Sequence, residues 1–222
     1  MIRKIGIALL CATLGTILQA RDDISTSNLF VGLELDSTKV GASSEYQITD
    51  KFYNVLAAEK YSDTFDSTIE YGIRLGAEKE DWRTTLLYTY YNDSKDATEV
   101  TMHKGSLLLD YFIWSTGSEE YTVKPYIGAH FGYMGYSVTG YVPELSADRV
   151  FADDTGMFYG GQAGIAMTIS QVVQLDISYK YSLTSIENTT NLDYDPKTDL
   201  YLDVVDELDN MGSIAFSINY FY

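Results

Sequence analysis

Apolar and polar positions alternate with a period of two along most of this chain, and no stretch carries a sustained helical face. Eight segments show the alternation. NLFVGLELD puts Leu29, Val31, Leu33 and Leu35 on one face. TIEYGIRLGA groups Ile69, Tyr71, Ile73, Leu75 and Ala77, and WRTTLLYTYY groups Trp82, Thr84, Leu86, Tyr88 and Tyr90. SLLLDYFIW aligns Leu107, Leu109, Tyr111 and Ile113. The second half repeats the pattern in VKPYIGAHFGY, YGGQAGIAMTI, VQLDISYKY and SIAFSINYFY, the last aligning Ile214, Phe216, Ile218, Tyr220 and Tyr222. Each segment predicts one β-strand, so the chain reads as all-β.

The charges settle which way the faces point. With the registers set by the aliphatic residues alone, no charge falls on the apolar faces. The opposite faces carry Glu34, Asp36, Glu70, Arg74, Arg83, Lys104, Asp110, Lys124, Asp176 and Lys180, five acids and five bases, among Gly32, Gly72, Gly76, Gly128, Gly132, Gly160 and Gly164. A soluble sandwich or lipocalin-like barrel turns its apolar face inward and needs no balance of charge on the wet one. Balanced charges among glycines instead fit a confined interior in which each ion needs a partner. The apolar face is then the outside, against lipid. Aromatics at the segment ends agree: Trp82, Tyr111, Tyr220 and Tyr222 toward one rim, Tyr88, Tyr90, Tyr133 and Tyr181 toward the other, where headgroups meet hydrocarbon. A tilted strand crosses a bilayer in about 9–11 residues, which matches the segments.

The connections alternate in length. Glu78 to Asp81, Ser115 to Glu120 and Ser170 to Val172 are short, whereas Ser37 to Ser67, Asn92 to His103, Ser137 to Thr155 and Thr184 to Asn210 are long. Short periplasmic turns and long extracellular loops are the habit of outer-membrane barrels. The expected fold is an antiparallel up-and-down transmembrane β-barrel of eight strands. Ten are possible if DKFYNVLAAEKY in the first long connection forms an extra hairpin rather than a short helix.

Composition adds an address and a sign. MIRKIGIALLCATLGTILQA has a basic start, an apolar core and a small residue at Ala20, as in a secretory signal peptide over 1–20, leaving 21–27 as a short periplasmic segment and 28–222 as the barrel domain. Leu10 before Cys11 argues against lipid attachment. Cleavage removes the single cysteine, so disulfides are not expected. The full chain has 15 Lys and Arg against 32 Asp and Glu, net -17, which excludes nucleic acid as a partner. With the interior balanced, the four long connections hold -14 of the charge. Such loops stay solvated and extended by repulsion, or bridge to lipopolysaccharide phosphates through divalent cations.

Three stretches, KPYIGAHFGYMGY (Lys124 to Tyr136), YGGQAGIAM (Tyr159 to Met167) and LDISYKY (Leu175 to Tyr181), resemble the small eight-stranded outer-membrane barrels: the OmpA transmembrane domain, OmpX-like proteins and opacity-type surface proteins. The resemblance covers Asn28 to Tyr222. It implies that Phe216, Ile218, Tyr220 and terminal Tyr222 form an assembly signal read by the barrel-insertion machinery. It also implies a place in the outer membrane among lipids and lipopolysaccharide. With the chain ending at its last strand, no peptidoglycan-binding domain of the OmpA kind is expected.

Catalytic chemistry finds little support. His103 and Ser106 are three apart and point to opposite faces of a strand, unlike the outward His and Ser of outer-membrane lipid-modifying enzymes. His130 shares the interior face with Tyr126 and Met134, with no nucleophile beside it in the strand. Two histidines without cysteine make zinc improbable, and DYDPKTD (Asp193 to Asp199) lacks the glycine and spacing of a calcium loop. No cofactor, metal or catalytic residue is expected. The candidate site is the interior charge network of Glu34, Glu70, Arg74, Arg83, Lys104, Asp110, Asp176 and Lys180, which either pairs across the lumen and closes it or leaves a narrow porin-like path for ions and very small solutes. The discriminating feature is whether Phe112, Tyr126 and Met134 fill the lumen at the level of these charges. The expected role is envelope integrity or adhesion through the long loops, and the external partner is not legible.

Overall fold

The computed structural model describes residues 28–50, 54–95, 98–118, 121–142, 147–169, 172–195 and 200–222; the expected leader and the 21–27 segment lie outside them. Eight long strands follow one another: β1 Asn28–Asp50, β2 Val55–Glu78, β3 Trp82–Lys95, β4 Thr98–Phe112, β5 Tyr121–Val142, β6 Ala147–Ile169, β7 Val173–Asp195 and β8 Leu200–Phe221. Each pairs antiparallel with its neighbours in sequence, and β1 pairs with β8, from Phe30↔Phe221 upward, which closes the barrel. A two-residue ladder, Thr116–Gly117 on Val123 and Thr122, tightens the turn before β5. Closure satisfies the backbone groups all round, the condition for a sheet in hydrocarbon.

The alternation places the two faces as the charges indicated. Leu109 is 42% exposed and Ile218 44%, both on the outside, while Asp110 and Asn219 beside them are wholly buried. The outer face is a belt of Leu33, Leu35, Ile73, Leu75, Ile127, Phe131, Ile165 and Ile177 with tyrosines above and below. At the lower rim Trp82 and Tyr111 are cross-strand partners, rings 4.8 Å apart, and Trp114 and Tyr121 extend that girdle.

Six of the strands run for 22 to 24 residues, about twice what a crossing needs. The long connections are therefore hairpin extensions of the barrel strands, a form that hydrophobic alternation does not reveal. Inward positions there are Ser43, Glu45, Gln47 and Thr49, with Ile48 the one aliphatic residue among 43–49, too little for an aliphatic face to be read. DKFYNVLAAEKY is the tip of the first hairpin: Asp50 ends β1, 51–53 lie outside the described residues, and Val55 opens β2. Asn54 closes this turn by donating from its backbone and its side-chain amide to the Asp50 carboxylate, both at 2.9 Å.

The wall is not continuous to the top. The β2–β3 ladder ends at Tyr71↔Tyr90, and the β6–β7 ladder ends at Phe158↔Thr184. Above these points β1–β2 and β1–β8 pairing continues to the hairpin tips, as does β5–β6. Two four-stranded sheets, β7–β8–β1–β2 and β3–β4–β5–β6, thus rise from one closed barrel. A register shift in β7 between Leu183 and Ile186 marks the base of the second seam, where Ser185 Oγ bridges to the backbone of Met157 at 3.2 Å.

Candidate functional site: the barrel lumen

The lumen is built in layers, because each strand contributes every second residue and the cross-strand register sets the height. At the lower end Phe30 meets Phe221 edge-on, centroids 5.6 Å apart. Above them Arg83 occupies the axis, fully buried. Its guanidinium holds Asp110 at 2.8 Å and Asp176 at 2.6 Å, and donates to Gln174 Oε1 at 2.9 Å. Tyr126 donates to Asp176 at 2.7 Å, and its ring lies under the guanidinium at 4.6 Å. Phe112 covers the other flank at 5.5 Å. Gln162 donates to Asp110.

A second layer joins β1, β2, β4 and β7. Glu34 forms ion pairs with Lys180 and with Arg74, the latter at 3.0 Å. Asp36 takes Lys180 at 3.1 Å, and Glu70 takes Lys104 at 2.6 Å. Arg74 also donates to Ser217. Pairing of this kind is what makes ions tolerable out of water. The eight candidate residues of the network all lie in the interior, in two linked groups: Arg83, Asp110 and Asp176 in one, Glu34, Arg74, Lys180 and the Glu70–Lys104 pair in the other.

Three members were missed or misplaced by the sequence. Glu78, assigned to a turn, is the last inward residue of β2 and is buried. It binds Lys124 and accepts from Gln174, both at 2.9 Å. Its place two residues beyond Gly76 in the alternation was the available signal. With Glu78 counted, the lumen of the barrel proper holds six acids and five bases among the described residues, so the expected exact balance is corrected to a surplus of one acid. Gln174 and Asn219, uncharged and therefore passed over, are wholly buried hydrogen-bond couplers; Asn219 donates to Gln174 at 3.1 Å.

The top of the lumen is apolar. Val40, Tyr91, Met102, Met134, Phe158, Ile186, Leu208 and Met211, from seven of the eight strands, form one buried cluster. Phe112 and Tyr126 therefore share the level of the Arg83 ions, whereas Met134 belongs to the seal above. Between ions and seal lies a cavity of about 30 Å³ lined by Asp36, Lys104, Lys180, His130, Ser182 and Ser106, among others. That is room for a water or two, not for a solute path.

The histidines separate. His130 shares a hydrogen bond with Ser182 Oγ at 2.8 Å, a contact between strands that reading within one strand could not find. Its Nδ1 has no hydrogen-bond partner, so no acid orients the ring as in a nucleophilic triad. His103 faces outward and shares a hydrogen bond with Tyr88 Oη at 2.7 Å, while Ser106 faces the cavity. No group of three or more His, Cys, Asp or Glu among the described residues could hold a metal ion.

Beyond the barrel proper, Lys60 of β2 reaches Glu207 of β8 at 2.9 Å, and Ser43 Oγ donates to the same carboxylate at 3.3 Å. The hydrogen bond from Lys60, then its charge, holds Glu207 below the ordinary carboxylate range. Reciprocally, the bond to Glu207 raises Lys60.

A closed eight-stranded barrel, apolar outside and ionic within, defines the chain as a small integral β-barrel of the outer-membrane type. Among solved structures it is similar to Neisserial surface protein A, with TM-score 0.53 and 17% identity, covering 87% of this chain and 97% of that one. It also matches outer membrane protein H (OprH) from P. aeruginosa at TM-score 0.48 and 21% identity, covering 88% and 99% of the two chains. The N-terminal β-barrel domain of Pseudomonas aeruginosa OprF matches at 0.39 and 14%, covering 86% and 98%. No protein-family model and no curated sequence matches the chain.

Proposed function

We propose that the protein is an integral barrel of a Gram-negative-type outer membrane whose work is structural and surface-directed, neither catalytic nor conductive. The observation that carries this reading is the lumen: a paired ionic filling below an apolar cluster to which seven of the eight strands contribute. A path for ions would have to break the charge pairs and wet the apolar layer, and hydrophobic constrictions close by dewetting. Its rigid filling leaves the wall free to carry the two sheets above the membrane, whose acidic hairpins meet the outside. Loops and hairpins on a closed ladder tolerate variation because the barrel satisfies its backbone without them. In this reading Phe216, Ile218, Tyr220 and Tyr222, alternate outward residues of the last strand and its end, are the signal for insertion.

Planar-bilayer recording on purified protein tests the proposal. The expected trace is flat at moderate voltage. Stable single-channel steps that scale with salt concentration would establish the porin-like alternative instead.

A further inference from the structure

We infer that Met102, Met134 and Met211 form an oxidation site: a peroxide-class oxidant arriving from outside converts these thioethers to sulfoxides, and the two upper sheets then part. This inference rests on the closed lumen of the reading above. Of the five methionines among the described residues, these three belong to the apolar cluster, while Met157 and Met167 face outward.

The cluster clamps as well as seals. Val40, Ile186, Leu208 and Met211 come from the sheet β7–β8–β1–β2, and Tyr91, Met102, Met134 and Phe158 from the sheet β3–β4–β5–β6. Above the two seams no ladder joins these sheets among the described residues, so side chains do: Ser185 Oγ on the backbone of Met157, and the cluster. Across one seam Ile186 of β7 sits over Gly156 of β6, where an added Cβ would lie 2.5 Å from Ile186 Cγ1. Gly156 is the register partner of Met134. At the other seam the β2–β3 ladder stops at Tyr90, and the next residue, Tyr91, is the register partner of Met102. Met102 and Met134 thus each stand one strand from an open edge at the outer end of the lumen. Met211, with Phe158, lines the polar cavity beneath.

The chemistry is a two-electron oxidation. A thioether lone pair attacks one peroxide oxygen, and the S–O bond forms as the O–O bond breaks. The departing hydroxide takes the proton of the sulfur-bound oxygen and leaves as water, so thioether and hydrogen peroxide give sulfoxide and water. A sulfoxide is a strong acceptor, yet among the eight side chains of the cluster only the Tyr91 hydroxyl can donate. An acceptor buried without a donor draws in water, which the cavity below and the open edges beside supply. Leucine would fill nearly the same volume and resist oxidation. All three methionines are buried, so they react through local opening and more slowly than exposed Met157.

The test uses the full barrel in lipid vesicles with hydrogen peroxide as the oxidant. Peptide mapping by mass spectrometry places the sulfoxides, and amide hydrogen exchange reads the clamp. Sulfoxide should appear first at Met157 and then at Met102, Met134 and Met211. Protection at residues 100–104 and 184–188 should then fall by about tenfold or more, the scale of one buried polar group left unsatisfied. Residues 174–178, within the closed barrel, should keep theirs. The triple variant Met102→Leu, Met134→Leu, Met211→Leu should show no fall, and Met157→Leu with Met167→Leu should behave as wild type. If the triple variant does not fold, Met102→Leu alone and Met134→Leu alone should each lessen the fall. Thioethers intact at the three positions once Met157 is fully oxidised, unchanged protection despite their oxidation, equal loss at 174–178, or a fall undiminished in the leucine variants overturns the site. A flat planar-bilayer trace from the unoxidised protein keeps the closed-lumen reading apart from these outcomes, whereas channel steps from it would fail that reading instead.

Discussion

Arg83 and Asp176 lie on strands β3 and β7, and their side chains meet at 2.6 Å on the barrel axis with neither reachable by solvent. The same guanidinium neutralises Asp110 from the neighbouring strand. Removing Arg83 would strand two buried carboxylates. Arg83→Met is expected to cost about 3–5 kcal/mol, the usual penalty for an uncompensated buried charge. Adding Asp110→Asn and Asp176→Asn should recover most of the loss. Urea titration of barrel folding in lipid vesicles measures both, and a harmless Arg83→Met would contradict the ionic core.

Depth along the outer face separates the membrane band from the hairpins above it. Ile218→Arg sits in the belt and is expected to cost about 2–4 kcal/mol if near mid-membrane. Ile48 is also outward and exposed, but lies near the tip of the first hairpin. Ile48→Arg should therefore fall within about 0.5 kcal/mol of wild type, as at an ordinary wet surface. Equal penalties at the two positions would mean that the hairpins, too, are immersed.

Glycines divide by what a methyl group would strike. At Gly160 a Cβ would fall 1.9 Å from the Tyr181 carbonyl oxygen, which belongs to backbone and cannot swing away. At Gly105 nothing lies within 4 Å. Gly160→Ala is expected to destabilise by about 1–3 kcal/mol through overpacking, and Gly105→Ala to be neutral or slightly stabilising by relief of strand entropy. Denaturant midpoints of the two variants check the contrast.

The Lys60–Glu207 pair gives the first sheet a pH dependence. Glu207 is held below its ordinary value, so its contribution is present above the unfolded carboxylate pKa and is lost as pH falls through the depressed one. Lys60 is raised, so its share is complete below its unfolded pKa and disappears only as strongly alkaline pH passes the raised value. Both groups are exposed, which keeps the effect small. Protection factors for amide hydrogen exchange around Ser43 and Lys60, corrected for the intrinsic pH dependence, should fall once pH drops below the ordinary carboxylate range, and Lys60→Gln should remove that pH step. A step that persists in Lys60→Gln would assign it elsewhere.

The faces of the strands were legible because a lipid-facing belt must be aliphatic at every second position, and residues such as Leu33 and Ile218 announce it. Partners across the lumen were not: Lys180 meets Glu34 through barrel closure, and nothing in local spacing encodes which interior charges share a height. Glu78 escaped because a strand's last inward residue looks like the start of a turn. Met134 was legible as an interior residue, but Met102 and Phe158, which join it in the apolar seal, escaped for the opposite reason, since apolar residues on the inner face run against the pattern that defines the barrel. The hairpin extensions escaped because their few aliphatic residues, such as Ile48, Val55 and Leu56, do not recur at every second position.

Accessibility of spin labels along the last strand tests the inside-out arrangement most directly. The sequence has no cysteine after Cys11, so single cysteines at positions 213 to 220 can be labelled one at a time in vesicles. Positions 214, 216, 218 and 220 should collide freely with oxygen dissolved in the bilayer, while 213, 215, 217 and 219 should be shielded from both oxygen and a water-soluble nickel chelate. Labels at 216 and 218 that are shielded from oxygen, with those at 217 and 219 open to the chelate, would contradict the account, because the aliphatic face would then be the core.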